Sequence, residues 1–161
     1  MSAEWVWVDN ELAVYPRMVY FKKKVLIAEQ AEKMPVCRLR ICADSRYLLL
    51  INGSRVMTGP CRAPRGVRYM DELDVTAYLR TGENEIFVQV IQYSDHKQKN
   101  IYFLTGPNSI VTEGIGGLWI EEAETAFGFS TSAEYLSIEV PGYAFPETHR
   151  YGYIGFSEKF D

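Results

Sequence analysis

The feature that most constrains this chain is a two-residue hydrophobic period with no competing helical period. Cys37, Leu39, Ile41 and Ala43 alternate with Arg38, Arg40 and Cys42. Ile86, Val88 and Val90 alternate with Phe87, Gln89 and Ile91, and Leu136, Ile138 and Val140 alternate with Tyr135, Ser137 and Glu139. Successive side chains of a strand point to opposite faces, so each run reads as a strand with one face inside. Val19 to Ile27 reads as a long strand carrying Lys22, Lys23 and Lys24. Tyr47 to Ile51 is an unbroken apolar run, the pattern of a strand covered on both faces. Gly117 to Glu121 and Tyr153 to Phe160 are shorter candidates. No amphipathic helix of ten or more residues is written anywhere, which leaves an all-β antiparallel sandwich.

The turn residues fit that reading. Asn52-Gly53 lies between apolar runs and tolerates positive φ at both positions, so it predicts a tight type I′ hairpin. Gly59-Pro60 ends the second arm, and Gly82, within the turn Thr81 to Asn84, permits a reversal before the strand that starts at Glu85. A single helical turn is expected over Val75 to Leu79, with Asp74 capping it and Leu79 as its apolar anchor. Tyr153 to Asp161 stops on an alternating run, which suggests a chain continuing beyond it.

The 161 residues suit one domain spanning 1–161, large enough to bury roughly 70% of its unfolded surface without staples. With 17 Lys plus Arg against 21 Asp plus Glu, the net charge is −4, which argues against nucleic acid as a partner. Arg62, Arg65 and Arg68 read as a solvated basic loop. No run approaches the ~20 apolar residues of a membrane span. The N-terminus lacks an apolar signal region, and three cysteines make an odd set. Both point to reduced thiols and a cytoplasmic location. Cys37 and Cys42, five apart on an extended segment, face opposite sides and should not pair.

Chemistry-bearing patterns are sparse. Glu121, Glu122 and Glu124 form the densest acidic cluster, which reads as a solvated strand edge and not as a catalytic pair. His96 and His149 sit in polar stretches away from any nucleophile, and no zinc spacing is present. A structural calcium is compatible with such sandwiches, but no Asp-rich calcium loop is written, so no cofactor is expected.

One extended motif does stand out. Ile41-Cys42-Ala43-Asp44-Ser45-Arg46-Tyr47 leads into Asn52-Gly53 and Gly59-Pro60. Leu73-Asp74-Val75-Thr76-Ala77-Tyr78-Leu79 and Gly82-Glu83-Asn84-Glu85-Ile86 follow. This resembles the N-terminal β-sandwich of bacterial α-L-rhamnosidases, a galactose-binding-like jelly roll, over about residues 18 to 93. Where that family carries a Trp-Lys pair after the sandwich core, this sequence offers Tyr135. The motif itself reads as structural: Asp44 with Arg46, the Asn52-Gly53 hairpin, Gly59-Pro60, Asp74 with Thr76 and Leu79, and Gly82 with Asn84.

The resemblance implies that catalysis belongs to a separate helical barrel of a parent hydrolase acting on terminal α-L-rhamnosyl linkages. This sandwich would then be a non-catalytic domain partnered by the rest of that chain, with an exposed apolar patch where the next domain docks. The competing reading is a carbohydrate-binding module for rhamnose-containing glycans. Sugars stack on exposed aromatic faces, so its candidate residues are Tyr93, Tyr102, Trp119, Tyr143, Tyr151 and Tyr153.

Overall fold

The computed structural model describes residues 2–9, 17–28, 34–61, 69–92 and 116–143. Eight strands follow in order: β1 (Arg17–Ile27), β2 (Arg38–Asp44), β3 (Arg46–Ile51), β4 (Ser54–Gly59), β5 (Asp71–Asp74), β6 (Gly82–Gln92), β7 (Gly117–Glu122) and β8 (Leu136–Glu139). A 3₁₀ turn, Thr76–Tyr78, separates β5 from β6. The strands form two antiparallel sheets, a five-stranded one in the order β4-β3-β6-β1-β8 and a three-stranded one in the order β5-β2-β7. This is the expected all-β sandwich. The alternating strands of the sequence stand as β1, β2, β6, β7 and β8. The candidate strand Tyr153 to Phe160 lies outside the described residues.

The core sits between the sheets. Val19, Phe21, Leu49, Ile51, Ile86, Val88 and Val90 face Leu39, Ile41, Ala43, Leu118 and Ile120, and all are fully buried. Each comes from the inward set of a two-residue period, so every strand adds its apolar face to one interior. The chain changes sheets between β2 and β3 across the single residue Ser45, whose amide bonds the Ile91 carbonyl at 3.0 Å. Asp44 is completely buried at this corner, 3.4 Å from the Ser45 hydroxyl. The Arg46 guanidinium reaches the Pro60 carbonyl, tying the start of β3 to the end of β4.

Three details differ from the sequence reading. Tyr47 to Ile51 is not covered on both faces: Tyr47, Leu49 and Ile51 are buried while Leu48 and Leu50 are half-exposed. β3 lies within its sheet, but no second layer covers that sheet's outer side among the described residues. Leu136 to Glu139 is exposed along its whole length, because β8 is an edge strand whose apolar residues point outward. The anchor of the 3₁₀ turn is Val75, fully buried, and Leu79 packs only partly against the core. The chain turns inward at Val75, one residue before the helical segment, which places Leu79 at the rim.

A strap at the N-terminus closes the β7 edge. Val6 and Leu118 exchange both backbone hydrogen bonds at 3.0 Å. The Glu4 amide bonds the Thr131 carbonyl at 3.1 Å, and the Thr131 hydroxyl returns a bond to the Glu4 carbonyl at 2.6 Å. Such pairing leaves less free edge for another chain to join. Arg17 is 2% exposed; it donates to both carboxylate oxygens of Glu139, at 2.9 and 2.6 Å, and lies over the Trp7 ring. The two-pronged geometry compensates for burying a guanidinium.

The three thiols are free; Cys37 and Cys42 are buried and Cys61 is exposed. Burial pushes the Cys37 thiol up to about 11. The thiolate is the reactive species, so this sulfur is protected both by access and by protonation. Iodoacetamide at neutral pH is expected to label Cys61 alone in the native protein, and all three thiols in denaturant. Mass mapping of the adducts checks this, and native labelling of Cys37 would show that the entry to β2 opens readily.

Candidate functional site

The residues of the extended motif converge on two clamps. The first joins two hairpins. Asn52 (φ 51°) and Gly53 (φ 77°) make the predicted primed turn between β3 and β4. The Asn52 amide group then donates to the Tyr78 carbonyl at 2.8 Å and to Asn84 Oδ1 at 2.9 Å, while its oxygen accepts the Glu85 amide at 2.9 Å. Asn84, completely buried, accepts the Arg80 amide at 3.0 Å. It donates to the carbonyls of Arg80 and Gly82 at 2.6 and 3.0 Å. Gly82 (φ 94°) supplies the reversal that this wrapping needs.

The second clamp holds the 3₁₀ turn. Asp74 Oδ1 accepts the Thr76 amide at 2.9 Å and the Thr76 hydroxyl at 2.5 Å. The Thr76 hydroxyl oxygen accepts the Cys37 amide at 2.9 Å. Asp74 is therefore not the N-cap, a place taken by Val75 with no side-chain cap bond; it forms an Asx turn one residue ahead of it, and Thr76 pins the turn to the start of β2. The Thr76 bonds hold its carboxyl below the ordinary carboxylate value.

The acidic cluster is committed to structure. Glu121 pairs with Arg40 at 3.3 Å, and Arg40 also holds Glu72 at 3.0 Å, which links β7, β2 and β5 across the small sheet. Glu124 pairs with Arg38. The Glu122 carboxylate turns under the following loop and accepts the amides of Phe127, Gly128 and Phe129 at 2.7, 2.9 and 3.0 Å, together with the Thr125 hydroxyl. Among the described residues no group of three or more His, Cys, Asp or Glu side chains is placed to hold a metal ion.

Of the aromatic candidates for sugar stacking, Tyr93, Tyr102, Tyr151 and Tyr153 lie outside the described residues. Trp119 is half-buried on the outer side of β7, and its indole N–H donates to the Ala3 carbonyl at 3.3 Å. Tyr143 is 8% exposed, so its ring packs inside.

One concave feature lies elsewhere. A cavity of about 470 Å³ opens where β3, β4 and β6 end together. Its apolar lining includes Leu48, Met57, Pro60 and Ile91. Around it stand the Arg46 guanidinium, the Thr58 hydroxyl, the Gln89 carboxamide and the Asp71 carboxylate, with Cys61 in the lining. Asp71 accepts the Tyr47 hydroxyl at 2.6 Å, and burial, reinforced by that carboxylate, holds the Tyr47 phenol far above its ordinary range. Gly59 makes this contact possible: a Cβ there would stand 2.1 Å from Asp71 Oδ2 and 2.8 Å from the Tyr47 oxygen. Gly59 belongs to the extended motif, but nothing local connects it with Asp71 or Gln89, which reach the cavity only through strand pairing.

The outer face of the five-stranded sheet continues from this cavity. One cross-strand row runs Thr58, Leu48, Gln89, Tyr20, Ile138, and the next runs Arg55, Leu50, Phe87, Lys22, Leu136. Tyr20 and Phe87 pack with ring centroids 5.1 Å apart and ring planes tilted by 56°. Ile138 is 65% exposed and Leu136 73%. Lys22–Glu85 and Lys24–Glu83 ion pairs border the apolar part.

Comparison with known proteins places this fold. Scans of family models and of curated proteins find no match. Solved structures do match. The chain superposes over its whole length on a GH78-family rhamnosidase of Bacillus sp. GL1, with TM-score 0.72 and 26% identity, covering 16% of that chain. Over 83% of its length it matches the α-L-rhamnosidase of Aspergillus terreus, with TM-score 0.56 and 23% identity. Over 85% it matches that of Streptomyces avermitilis, crystallised with L-rhamnose, with TM-score 0.55 and 15% identity. It spans only 16% and 12% of those two chains. Over its whole length the chain is similar in fold to a portion of a GH78-family rhamnosidase.

Proposed function

We propose that this chain serves as a non-catalytic domain of an α-L-rhamnosidase and packs the outer face of its five-stranded sheet against the rest of that enzyme. The observation that carries the reading is the face itself. Leu136 and Ile138 stand mostly exposed on the same face as the Tyr20–Phe87 ring pair, Leu48 and Leu50, with ion pairs along one side. A contiguous apolar surface with a polar border is the anatomy of an interface. The acidic side chains of the small sheet are meanwhile engaged in structural pairs, which leaves the hydrolytic carboxylates to be supplied by another domain.

Two measurements test this. An antibody raised against the sandwich should detect, in the source cells, a protein several times larger than 18.5 kDa; a band at 18.5 kDa overturns the reading. In that larger protein, L136E/I138E should speed thermal loss of rhamnosidase activity several-fold. The same pair should shift the melting temperature of the 161-residue chain alone by less than roughly 2 °C, because both residues are already exposed there. Equal effects in both contexts would show that the face is not a domain contact.

A further inference from the structure

The turn between β3 and β4 carries a reactivity that its structural role does not use. Asn52-Gly53 is the only Asn-Gly pair in the sequence. The backbone nitrogen that follows an asparagine can attack the asparagine side-chain carbonyl carbon, and glycine, with no side chain, obstructs that approach least. We propose that Asn52 is a modification site gated by the clamp. Closed, the clamp keeps the carboxamide away from the Gly53 nitrogen; open, it releases Asn52 to a deamidation that then prevents the clamp from closing again.

The step balances with water alone. The Gly53 nitrogen bonds to Asn52 Cγ and passes its proton to the departing amide group, the Cγ–Nδ2 bond breaks, and ammonia leaves. The product is a five-membered succinimide ring. Water adds to one of the two ring carbonyl carbons and opens it. One opening gives aspartate on the original backbone; the other gives isoaspartate, in which the chain runs through the side-chain carbon. No oxidant or reductant takes part.

The gate is visible in the hydrogen bonds. Asn52 Nδ2 donates to the Tyr78 carbonyl at 2.8 Å and to Asn84 Oδ1 at 2.9 Å, and Asn52 Oδ1 accepts the Glu85 amide at 2.9 Å. Both donor positions of the carboxamide and its oxygen are therefore engaged, so swinging Cγ onto the Gly53 nitrogen breaks three bonds together. The Asn52 backbone amide is held too, by the Glu85 carbonyl at 2.9 Å. The attacking side is open by contrast. Gly53 is exposed, and apart from its chain neighbours no atom lies within 4 Å of where a Cβ would stand. Asn52 itself is only half-buried, so its protection rests on the clamp and not on exclusion of water.

Conversion also changes the joint. Aspartate would place a carboxylate oxygen where Nδ2 faces two acceptors, the Tyr78 carbonyl and Asn84 Oδ1. Isoaspartate would lengthen the backbone of a two-residue turn that sets the pairing of Ile51 with Ser54. Either product weakens the tie between the β3–β4 hairpin and β6, so one opening leaves a permanent mark on the chain.

The test incubates the 161-residue chain at one mildly alkaline pH, in native buffer and in urea above its unfolding midpoint. Peptide mapping by mass spectrometry reads the amide-to-acid mass change at Asn52, and chromatography separates isoaspartate from aspartate. Conversion in native buffer should be slower than in urea by on the order of a hundred-fold, the protection given by a locally closed state. Asn84→Ala removes one partner of the carboxamide and should raise the native rate about ten-fold, the effect of losing one hydrogen bond. Urea below the midpoint opens the clamp of the unsubstituted chain. There, conversion should rise in parallel with hydrogen exchange at the Glu85 amide, which the same opening frees. The Asn52→Asp variant stands for the aspartate product and should melt below the unsubstituted chain. Equal rates in native buffer and urea overturn the gate. Conversion that does not follow Glu85 exchange overturns the clamp as its cause, and an unchanged melting temperature for Asn52→Asp overturns the claim that deamidation keeps the clamp open.

Discussion

Asn84→Ala lowers the stability of this domain by about 3 kcal/mol, one of the two largest effects expected of a single polar substitution in the sandwich. The side chain is completely buried and uses its oxygen and its nitrogen twice each. Truncation strands the Arg80 amide, two carbonyls and the Asn52 amide group together. A buried polar group left without a partner costs about 1–3 kcal/mol, and part of this set recovers water because Arg80 is exposed. In a domain of this size the loss appears as a fall of roughly 6–12 °C in melting temperature. Asn84→Asp tests the mechanism without opening a cavity. It replaces the donating group with an oxygen that faces the Arg80 and Gly82 carbonyls, so it should be at least as harmful as alanine. Differential scanning calorimetry of both variants measures this. A near-wild-type Asn84→Asp would show that shape, and not hydrogen bonding, is what this position supplies.

Glu122→Ala is expected to cost about 3 kcal/mol as well, by a different route. Its carboxylate gathers three consecutive amides and a hydroxyl of the loop that follows β7. Hydrogen bonds to a charged group contribute about 1.5–3 kcal/mol each, but the loop amides regain water when freed, so the net is well below the sum. What the loop cannot regain is its aim. It delivers Phe129 into the core with no exposure, and the Phe129 carbonyl accepts the buried Tyr135 hydroxyl at 2.6 Å. Burial holds that phenol far above its ordinary range, so it remains a donor at any working pH. Loss of the carboxylate should therefore raise amide exchange at Phe127, Gly128 and Phe129 and expose the Tyr135 hydroxyl. Glu122→Gln keeps the shape but turns amide hydrogens toward amide donors, so it should recover less than half of the lost stability. Hydrogen exchange followed by mass spectrometry separates this local loosening from global unfolding. Unchanged exchange over 123–129 in Glu122→Ala would show that the loop is held by Phe129 packing alone.

These two residues also mark how far the sequence could be read. Asn84 stood within the motif that pointed to a structural role, and the structure gives it one. Its partner could not be named from sequence, because Asn52 lies 32 residues away and meets it only when β3 and β6 pair. Glu122 looked like one of three surface acids. Nothing local separates it from Glu121 and Glu124; only the loop folding back over the end of β7 makes it the acceptor for that loop. Gly59 likewise read as a strand end, and only the packing of β5 against β4's terminus showed why no Cβ fits there.

The strands β1, β2, β3, β6, β7 and β8, the Asn52-Gly53 hairpin and the sandwich class were legible in the chain alone, since each depends on side-chain alternation or on φ preferences within a few residues; the short β5 was not. The tertiary structure decided which face of each strand meets a second layer. It made the apolar side of β8 and the even positions of β3 an outer surface, and it placed Arg46, Asp71 and Gln89 around one cavity. Strand order and register bring residues together across dozens of positions, and a two-residue period carries no information about which strand will lie alongside another.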